Sequence, residues 1–581
     1  MKKIICIVSL LVCFGQITAQ ITVTGVVQNS QTKEPVLFTS VYVAGENIGT
    51  ITNDKGAFSI YITDTTRHAQ LTFSCIGYEK NTLKISDILN NRLILMNESV
   101  ATLKEAEIIA FSQDRMATAV WKIANKYRTL TLEQPVKIFL SLQSFENKTE
   151  PLELIEAFYS GRANLKNGIQ EMYIKNGRIG LNNKEGSFFF NLNYTTLLQR
   201  YRVFEKGNIS GFPDAPFHLT SADQIKKEFR FTDNGITFDG NMPFREIAFA
   251  NNKNTCSGII LLNDSLLTVK SVVVEYRDVK SKIFSPLHKK DKIDNLNLRF
   301  AYYYKPNEKE NSQMILERVY LDYDCQYYSA ALKKYRNIET GISLLCYDYE
   351  RGFEPVLFGD TCLVNDYQRI MTIPFDENFW KINYFVAEDE QKNASVNFFE
   401  NHGVLINYSQ QTFQSFPAIQ TPYKEWQSDV VLERSNFQNK ANFQIVTGDR
   451  YDHSKAARST DFPYFLDINL LLNYYNDHGK VGYSTKTLFN THISFWLIQW
   501  DDIRKEYVNL YFDLCELTSR NMGKRLSDLP AYNEEAILKI YQEEMVNLRN
   551  RLKTFSRNTK NGTSKIDLDV WKENIQQALN E

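Results

Sequence analysis

The chain is short of the residues and motifs that announce chemistry. It has seven histidines and eight cysteines in 581 residues, and its 67 Lys and Arg meet 68 Asp and Glu for a formal net charge of −1. No field of one sign therefore recommends nucleic acid or an acidic surface as the partner. His68, His218, His288, His402, His453, His478 and His492 all lack a Glu three residues on, and none opens a His-Glu-x-x-His. This excludes the usual zinc-peptidase ligand sets, in which two imidazoles and a carboxylate hold the ion and leave a position for water. The cysteines form neither a Cys-x-x-Cys pair nor a Cys/His cluster of zinc spacing. A Gly-x-Ser-x-Gly elbow, a Walker phosphate loop and a Gly-x-Gly-x-x-Gly fingerprint are all missing. A triad assembled by tertiary structure leaves no local motif, so these absences exclude named motifs only.

What is present is ordinary globular composition, 43% hydrophobic and 23% charged, over a length that suggests about three or four domains. Lys2 and Lys3 precede the apolar run 4–14, and Ile17-Thr18-Ala19 offers a small residue for cleavage, so residues 1–19 read as a secretory signal peptide. The run is too short for a spanning helix, and Val12 before Cys13 lacks the small side chain of a lipoprotein signal. Cleavage would leave 65 basic against 68 acidic residues and six cysteines: Cys75, Cys256, Cys325, Cys346, Cys362 and Cys515. Buried thiols are expected, because free Cys behaves as a small hydrophobe. If one bridge exists, Cys325 and Cys346 on neighbouring strands are the pair it would join.

Residues 21–98 read as short strands (21–27, 36–43, 57–62, 70–75, 81–85 and 92–96) separated by Gly45, Gly49, Asn53-Asp54-Lys55-Gly56 and Gly77. Alternating strands and turns are a sandwich pattern. Gly25-Val26-Val27, Glu34-Pro35, Val41-Tyr42-Val43, the run from Gly49 to Phe58 and Phe73-Ser74-Cys75-Ile76-Gly77-Tyr78-Glu79 resemble, in order and spacing, the carboxypeptidase-regulatory-like domain. That resemblance implies a small prealbumin-like β-sandwich over residues 20–98, of the kind found at the N-terminus of exported bacterial proteins, including TonB-dependent receptors. It implies no peptidase chemistry, since the zinc ligands are missing. A receptor barrel is not expected in the remaining length, and Leu579-Asn580-Glu581 lacks a barrel's terminal aromatic strand.

Residues 99–135 read as a connector and an amphipathic helix, capped by Ser112, with Met116, Val120, Ile123 and Tyr127 on one face. The order of sandwich, connector, helix, extended segment 136–145 and Glu156-Ala157-Phe158-Tyr159 resembles a group of exported proteins of uncharacterised function. Residues 136–410 read as one antiparallel β-rich domain with a hairpin at 258–276 and long strands at 296–304, 314–323 and 342–349. A long sheet crossed by a helix resembles the half-barrel of periplasmic lipoprotein carriers, a likeness of fold that licenses no function. Residues 411–581 read as a mixed region, with loop-like Pro417 and Pro422 and an aromatic cluster of Phe465, Tyr474 and Tyr475. It ends in helices beginning at Asp501 and Asn533 and a last short helix near Val570. The expected class is therefore mostly β and multi-domain, with a helical C-terminal region.

Among possible sites, Asp322 and Asp324 lie two apart on one strand and share a face, as a cation site or acid/base pair requires, although a solvated strand face suits them equally. Asp348, Glu350 and Glu354 form a second acidic group, and Asp501-Asp502 stand where negative charge favours a helix start. Tyr302-Tyr303-Tyr304, Tyr327-Tyr328 and Tyr474-Tyr475 suit half-buried strands better than sugar platforms. Trp380, Trp426, Trp496, Trp500 and Trp571 suit core anchors. No catalytic, cofactor or metal residue is assigned. The leading expectation is an exported non-catalytic protein of the periplasm or outer-membrane periphery, with the sandwich as interaction module and the β-rich body binding a partner or an apolar ligand. Its partner, an envelope protein or ligand, is left open; nucleic acid and a membrane span after signal removal are not expected. A cell-envelope hydrolase acting on peptides or glycans, and carbohydrate binding by the sandwich, are the alternatives.

Overall fold

The computed structural model describes residues 21–62, 70–99, 111–182, 191, 193–205, 209–280, 283–284, 286, 289–310, 313–358, 363, 365–383, 390–406, 420–439 and 463–580. The expected signal peptide, Cys362 and Pro417 lie outside these residues. Two compact units are formed, Met1–Phe353 with Ile382–Gln414, and Glu354–Lys381 with Ser415–Glu581.

The first unit opens with strands β1 (Ile21–Asn29), β2 (Ser40–Val43), β3 (Gly49–Ile51), β4 (Ala57–Ile62), β5 (Gln70–Ser74), β6 (Asn81–Lys84) and β7 (Leu93–Met96). They make two sheets, ordered β4-β1-β7 and β3-β2-β5-β6. Val23, Val27, Val41, Phe58, Phe73 and Ile94 fill the space between them. Alternate inward residues of β1 meet alternate inward residues of the facing sheet, as sandwich packing requires. The turn before β4 needs its glycine: Gly56 has φ +69°, and a Cβ there would stand 2.3 Å from the Val27 carbonyl oxygen. Three local readings change. The strand expected at 36–43 starts at Ser40, because Phe38 sits at φ +53°. The strand expected at 81–85 gives way at Ile85 to a helix, Ile85–Asn90, that buries Ile85 and Ile88. Gly49, read as a turn, opens a strand paired with β2.

The larger part of this unit is one antiparallel sheet of eleven strands: β8 (Gln134–Glu146), β9 (Glu150–Asn164), β10 (Gly168–Asn182), β11 (Phe229–Asp239), β12 (Met242–Asn251), β13 (Cys256–Asn263), β14 (Thr268–Tyr276), β15 (Lys292–Pro306), β16 (Met314–Ser329), β17 (Lys334–Asp348) and β18 (Gly403–Ile406). Their order is β11-β12-β13-β14-β15-β16-β17-β8-β9-β10-β18. One face is covered by the helix Gln113–Arg128 and by residues 194–205 and 209–219. Ser112 caps that helix through its Oγ, which accepts from the Arg115 amide at 3.3 Å, and the expected stripe Met116, Val120, Ile123 and Tyr127 is buried. Tyr201 stacks on Phe300 with ring centres 3.7 Å apart, and its hydroxyl lies 3.0 Å from that of Tyr276. Tyr302 and Tyr304 are buried on the same face.

The strand-rich reading of 136–410 misses the helices Tyr194–Arg200, Ala222–Glu228, Asp366–Thr372, Glu377–Asn383 and Glu390–His402. The first four have seven residues each, too few for apolar spacing to be separated from strand alternation, and their signal lies in caps such as Asn365, whose Oδ1 accepts from the Gln368 amide at 3.0 Å. Glu390–His402 has 13 residues but buries Lys392, Ser395 and Phe399, which make no apolar stripe. The helix Glu390–His402 lies over β9 and β10, and Phe399 packs with Leu154 and Leu405. It carries Lys392 to buried Glu156 at 3.3 Å, while Arg178 reaches the same carboxylate at 2.6 Å.

The sandwich meets the sheet within this unit through polar groups. Ser74 donates to Asp239, which Lys270 pairs at 2.6 Å, and Asn47 donates to Asn307 at 2.9 Å. Lys305 is buried there with its ammonium 5.5 Å from the centre of the Tyr42 ring.

The second unit has a three-stranded sheet of β19 (Tyr423–Glu425), β21 (Ile468–Asp477) and β22 (Lys480–Asn490), and a small pair, β20 (Tyr464–Phe465) with β23 (Phe495–Trp496). The helices Asp502–Ser527 and Glu534–Asn558 begin where expected, and the residue before each caps it: Asp501 accepts from the Arg504 amide at 2.9 Å, and Asn533 from the Ala536 amide at 3.0 Å. The last helix, Lys565–Asn580, is longer than expected at 16 residues.

Two predictions follow from buried charge. Glu156→Gln leaves Arg178 and Lys392 in the interior without their carboxylate, and is expected to cost about 3–5 kcal/mol in urea denaturation. Burial holds the Lys305 ammonium below its ordinary pKa of 10.5. The unfolded chain therefore binds this proton more tightly, and stability rises with pH between the depressed value and 10.5. Lys305→Met is expected to raise Tm at pH 7, and calorimetry should show the gain shrinking as pH approaches 10.5.

Candidate ligand cleft

The sheet's open face carries the polar partners of the buried aromatic layer, because successive strand residues point to opposite faces. In register across five neighbouring strands stand Glu275 (β14), Arg299 (β15), Asp322 (β16), Gly341 (β17) and Gln143 (β8). A second row, one step along, holds Asn297, Asp324 and Glu339. Together with Tyr320, Ser141 and Ser343 these residues line an open cleft of about 880 Å³. Gly341 keeps its floor low, since a Cβ there would meet only Asp322 Oδ1 at 3.5 Å.

Asp322 and Asp324 thus share a face, as the sequence spacing requires, and the fold gives each a partner. Arg299 donates through Nη1 to Asp322 at 3.0 Å and lies 3.8 Å from Glu275; Asn297 donates to Asp324 at 2.9 Å. Lys148 stands 3.6 Å from Glu339. Partial burial raises the Asp322 pKa, and the Arg299 charge pulls it back. The signal that was missed is Arg299 itself: it lies 23 residues from Asp322 in sequence, and only the β15–β16 register brings them opposite.

The other acidic groups are separate. Asp348 pairs with Lys137 at 2.8 Å, Glu350 with Lys309, and Glu354, in the second unit, accepts from the Tyr532 hydroxyl at 3.2 Å. Asp501 is a helix cap and Asp502 lies in the first turn of that helix. Among the described residues, no group of three or more His, Cys, Asp and Glu side chains is placed to hold a metal ion. His218 is buried and its Nδ1 accepts from the Ala215 amide at 3.2 Å, His402 stacks on Phe398, and His478 bonds to Asp477 at 2.7 Å. His68, His288 and His453 lie outside the described residues.

The aromatic rows are packing. Tyr327 donates to Asp291, Tyr328 packs on Tyr335 with ring centres 5.1 Å apart, Tyr474 donates to Glu534 at 3.2 Å, and Tyr475 to Asp376 at 2.9 Å. Trp496 is fully buried, Trp380 packs against Phe375, Trp500 against Phe437 and Trp571 against Phe555; Trp426 donates to Asp513 at 2.8 Å.

Cys75, Cys256, Cys325, Cys346 and Cys515 are free thiols. The Cys325–Cys346 bridge is excluded by register. The two do lie on neighbouring strands, but Cys325 faces Ile338, eight residues short of Cys346. At a strand rise of ~3.4 Å per residue that is roughly 27 Å, several times a disulfide's reach. Burial pushes the Cys256, Cys325 and Cys346 thiols up to about 12 and also raises Cys75 and Cys515. Such thiols are poor nucleophiles. In native protein at pH 8 these five thiols are expected to react slowly with a disulfide reagent, Cys75 fastest, and to react in one rapid phase after denaturation; rapid native labelling of Cys325 or Cys346, read by peptide mass spectrometry, would contradict this burial.

Residues 23–108 match the model of the CarboxypepD_reg-like domain family, the module whose motifs the sequence carries. No curated protein matches the chain. No solved structure matches it. No helix among the described residues is long and apolar enough to cross a membrane.

Proposed function

We propose that this protein is an exported, non-catalytic binding protein of the cell envelope, whose CarboxypepD_reg-like sandwich serves as an interaction module and whose large sheet binds an extended, neutral, hydroxyl-rich ligand such as a glycan. The observation that carries the reading is the row Glu275, Arg299, Asp322, Gly341 and Gln143 across the open cleft. With strands ~4.8 Å apart, the row offers donors and acceptors over roughly 19 Å. Arg299 balances Asp322, so the cleft favours a ligand rich in hydrogen-bonding groups over one carrying net charge. A peptide strand would be captured at a sheet edge through its backbone; here the groups on offer are side chains on a face. Export is supported by Lys2 and Lys3 before the apolar run 4–14, and the envelope setting by the module at residues 23–108.

A glycan array probed with the full chain tests the proposal. Binding to one family of oligosaccharides is expected, weakened at least tenfold by Arg299→Ala, and by Gly341→Trp, which fills the cleft floor. An array without signal, or a signal that both variants retain, sinks it.

A further inference from the structure

Beside the cleft, where the sandwich covers the same face of the sheet, lies a second cavity of about 330 Å³. This is at the small end of ligand pockets, which run from ~300 to ~1,000 Å³. Its charged lining among the described residues is Lys270, Arg299 and Arg318, with no carboxylate. Lys270 is held by Asp239 at 2.6 Å and Arg299 by Asp322 at 3.0 Å. Arg318 has, among the described residues, no carboxylate within hydrogen-bond range. It is only 7% exposed, its Nε makes no hydrogen bond, the Tyr320 hydroxyl stands as an acceptor beside its guanidinium, and its one ion-pair contact is Glu317 Oε2 at 3.6 Å, beyond hydrogen-bond range. Among the described residues three cationic side chains and no carboxylate line the cavity, and a bound anion would balance that positive charge through charge-assisted hydrogen bonds.

The walls are aromatic. The Arg318 guanidinium lies 4.6 Å from the centre of the Tyr303 ring and 5.9 Å from that of Phe38, and Phe38 meets Tyr320 edge-on. Phe38 is 50% exposed and sits at φ +53°, a conformation that bulky residues rarely adopt and that persists where surrounding structure enforces it. The sandwich thus spends backbone strain to hold an aromatic ring at the mouth of a cationic cavity.

We infer that this cavity binds a carboxylate borne on an apolar or aromatic body, with Arg318 taking the carboxylate and Phe38, Tyr303 and Tyr320 the body. The site is distinct from the glycan cleft, although Arg299 and Tyr320 border both. Isothermal titration of the full chain with 2-naphthoate and with N-acetylphenylalanine, each against its amide, tests it. At least one acid is expected to bind tenfold or more tighter than its amide; the naphthoate assigns the site to free organic acids, and the acetylated residue to chain termini. Arg318→Met and Phe38→Ala are each expected to weaken that binding at least tenfold. Phe38→Ala alters an exposed ring and keeps the test sound if Arg318→Met does not fold. Glycan binding, read in the Phe38→Ala protein, should persist, which separates the two sites. Acids and amides binding alike, neither acid binding at millimolar concentration, or unchanged affinity in Phe38→Ala would overturn the inference.

Discussion

The register of the eleven-stranded sheet is the constraint on which the rest of the first unit depends. Strand side chains alternate between faces, so a slip of one residue on β15 would turn Tyr302 and Tyr304 to water and bring Arg299 and Tyr303 into the aromatic layer. The layer fixes the choice. Tyr201 stacked on Phe300, and Tyr127 against Phe204 and Tyr304, bury rings that no other register would cover. Everything polar on the open face follows from that choice: Glu275, Arg299 and Asp322 come into one row because Leu298, Phe300 and Leu321 must point the other way.

The same logic explains why the aromatic content is high while few rings are free to bind anything. Of the tyrosines at 302–304, the two that share the buried face are filled in by neighbours, and only Tyr303 faces outward, beside Arg318. A sheet of strands up to 16 residues long needs a broad cover on its apolar side. Here one 16-residue helix and the segment around Tyr194–Arg200 provide it. Burial of large rings is the dominant favourable contribution, and the hydroxyl pairs Tyr159–Tyr194 at 2.7 Å and Tyr201–Tyr276 at 3.0 Å satisfy the polar ends of those four rings, while the Tyr304 hydroxyl is buried without a hydrogen bond among the described residues.

Much of this was legible in the sequence. The sandwich was carried by turn residues with specific backbone roles, Gly56 above all; the cap residues Ser112 and Asn533 located two helices because a cap is a local signal, and the charge of Asp501-Asp502 marked the start of a third. The hairpin at 258–276 was equally local. What escaped depends on partners distant in the chain. Asp322 and Asp324 were visible as a pair on one face, but their meaning changed once Arg299 and Asn297 stood opposite them. Cys325 and Cys346 were placed on neighbouring strands, and only the register, which sequence alternation does not supply, separates them. The short helices after Asn365 escaped for another reason: one or two turns bury too few residues for a period of 3.6 to be told from a period of 2.

The recognisable module is the part whose isolation would mislead most. Its core is self-contained, with Val23, Val41, Phe58 and Phe73 closing between two sheets, which is why its motifs survive as a readable pattern. Yet Ser74, Asn47 and Tyr42 lie on the side turned to the large sheet, where they meet Asp239, Asn307 and Lys305. An ion pair such as Asp239–Lys270, sheltered from water by the sandwich, gains little by itself against its desolvation cost. It demands, however, that hydrogen-bonding groups cover it, as Ser74 does, while the Val36–Thr39 loop is held from within the sandwich, by Thr52 and the Val27 carbonyl, where Phe38 comes to lie beside Arg318. The Phe38 backbone, at φ +53°, is held by its amide's hydrogen bond to the Thr52 carbonyl at 3.2 Å. The sandwich therefore acts as a wall of a site built on the sheet, and its chemistry belongs to the seam rather than to the module.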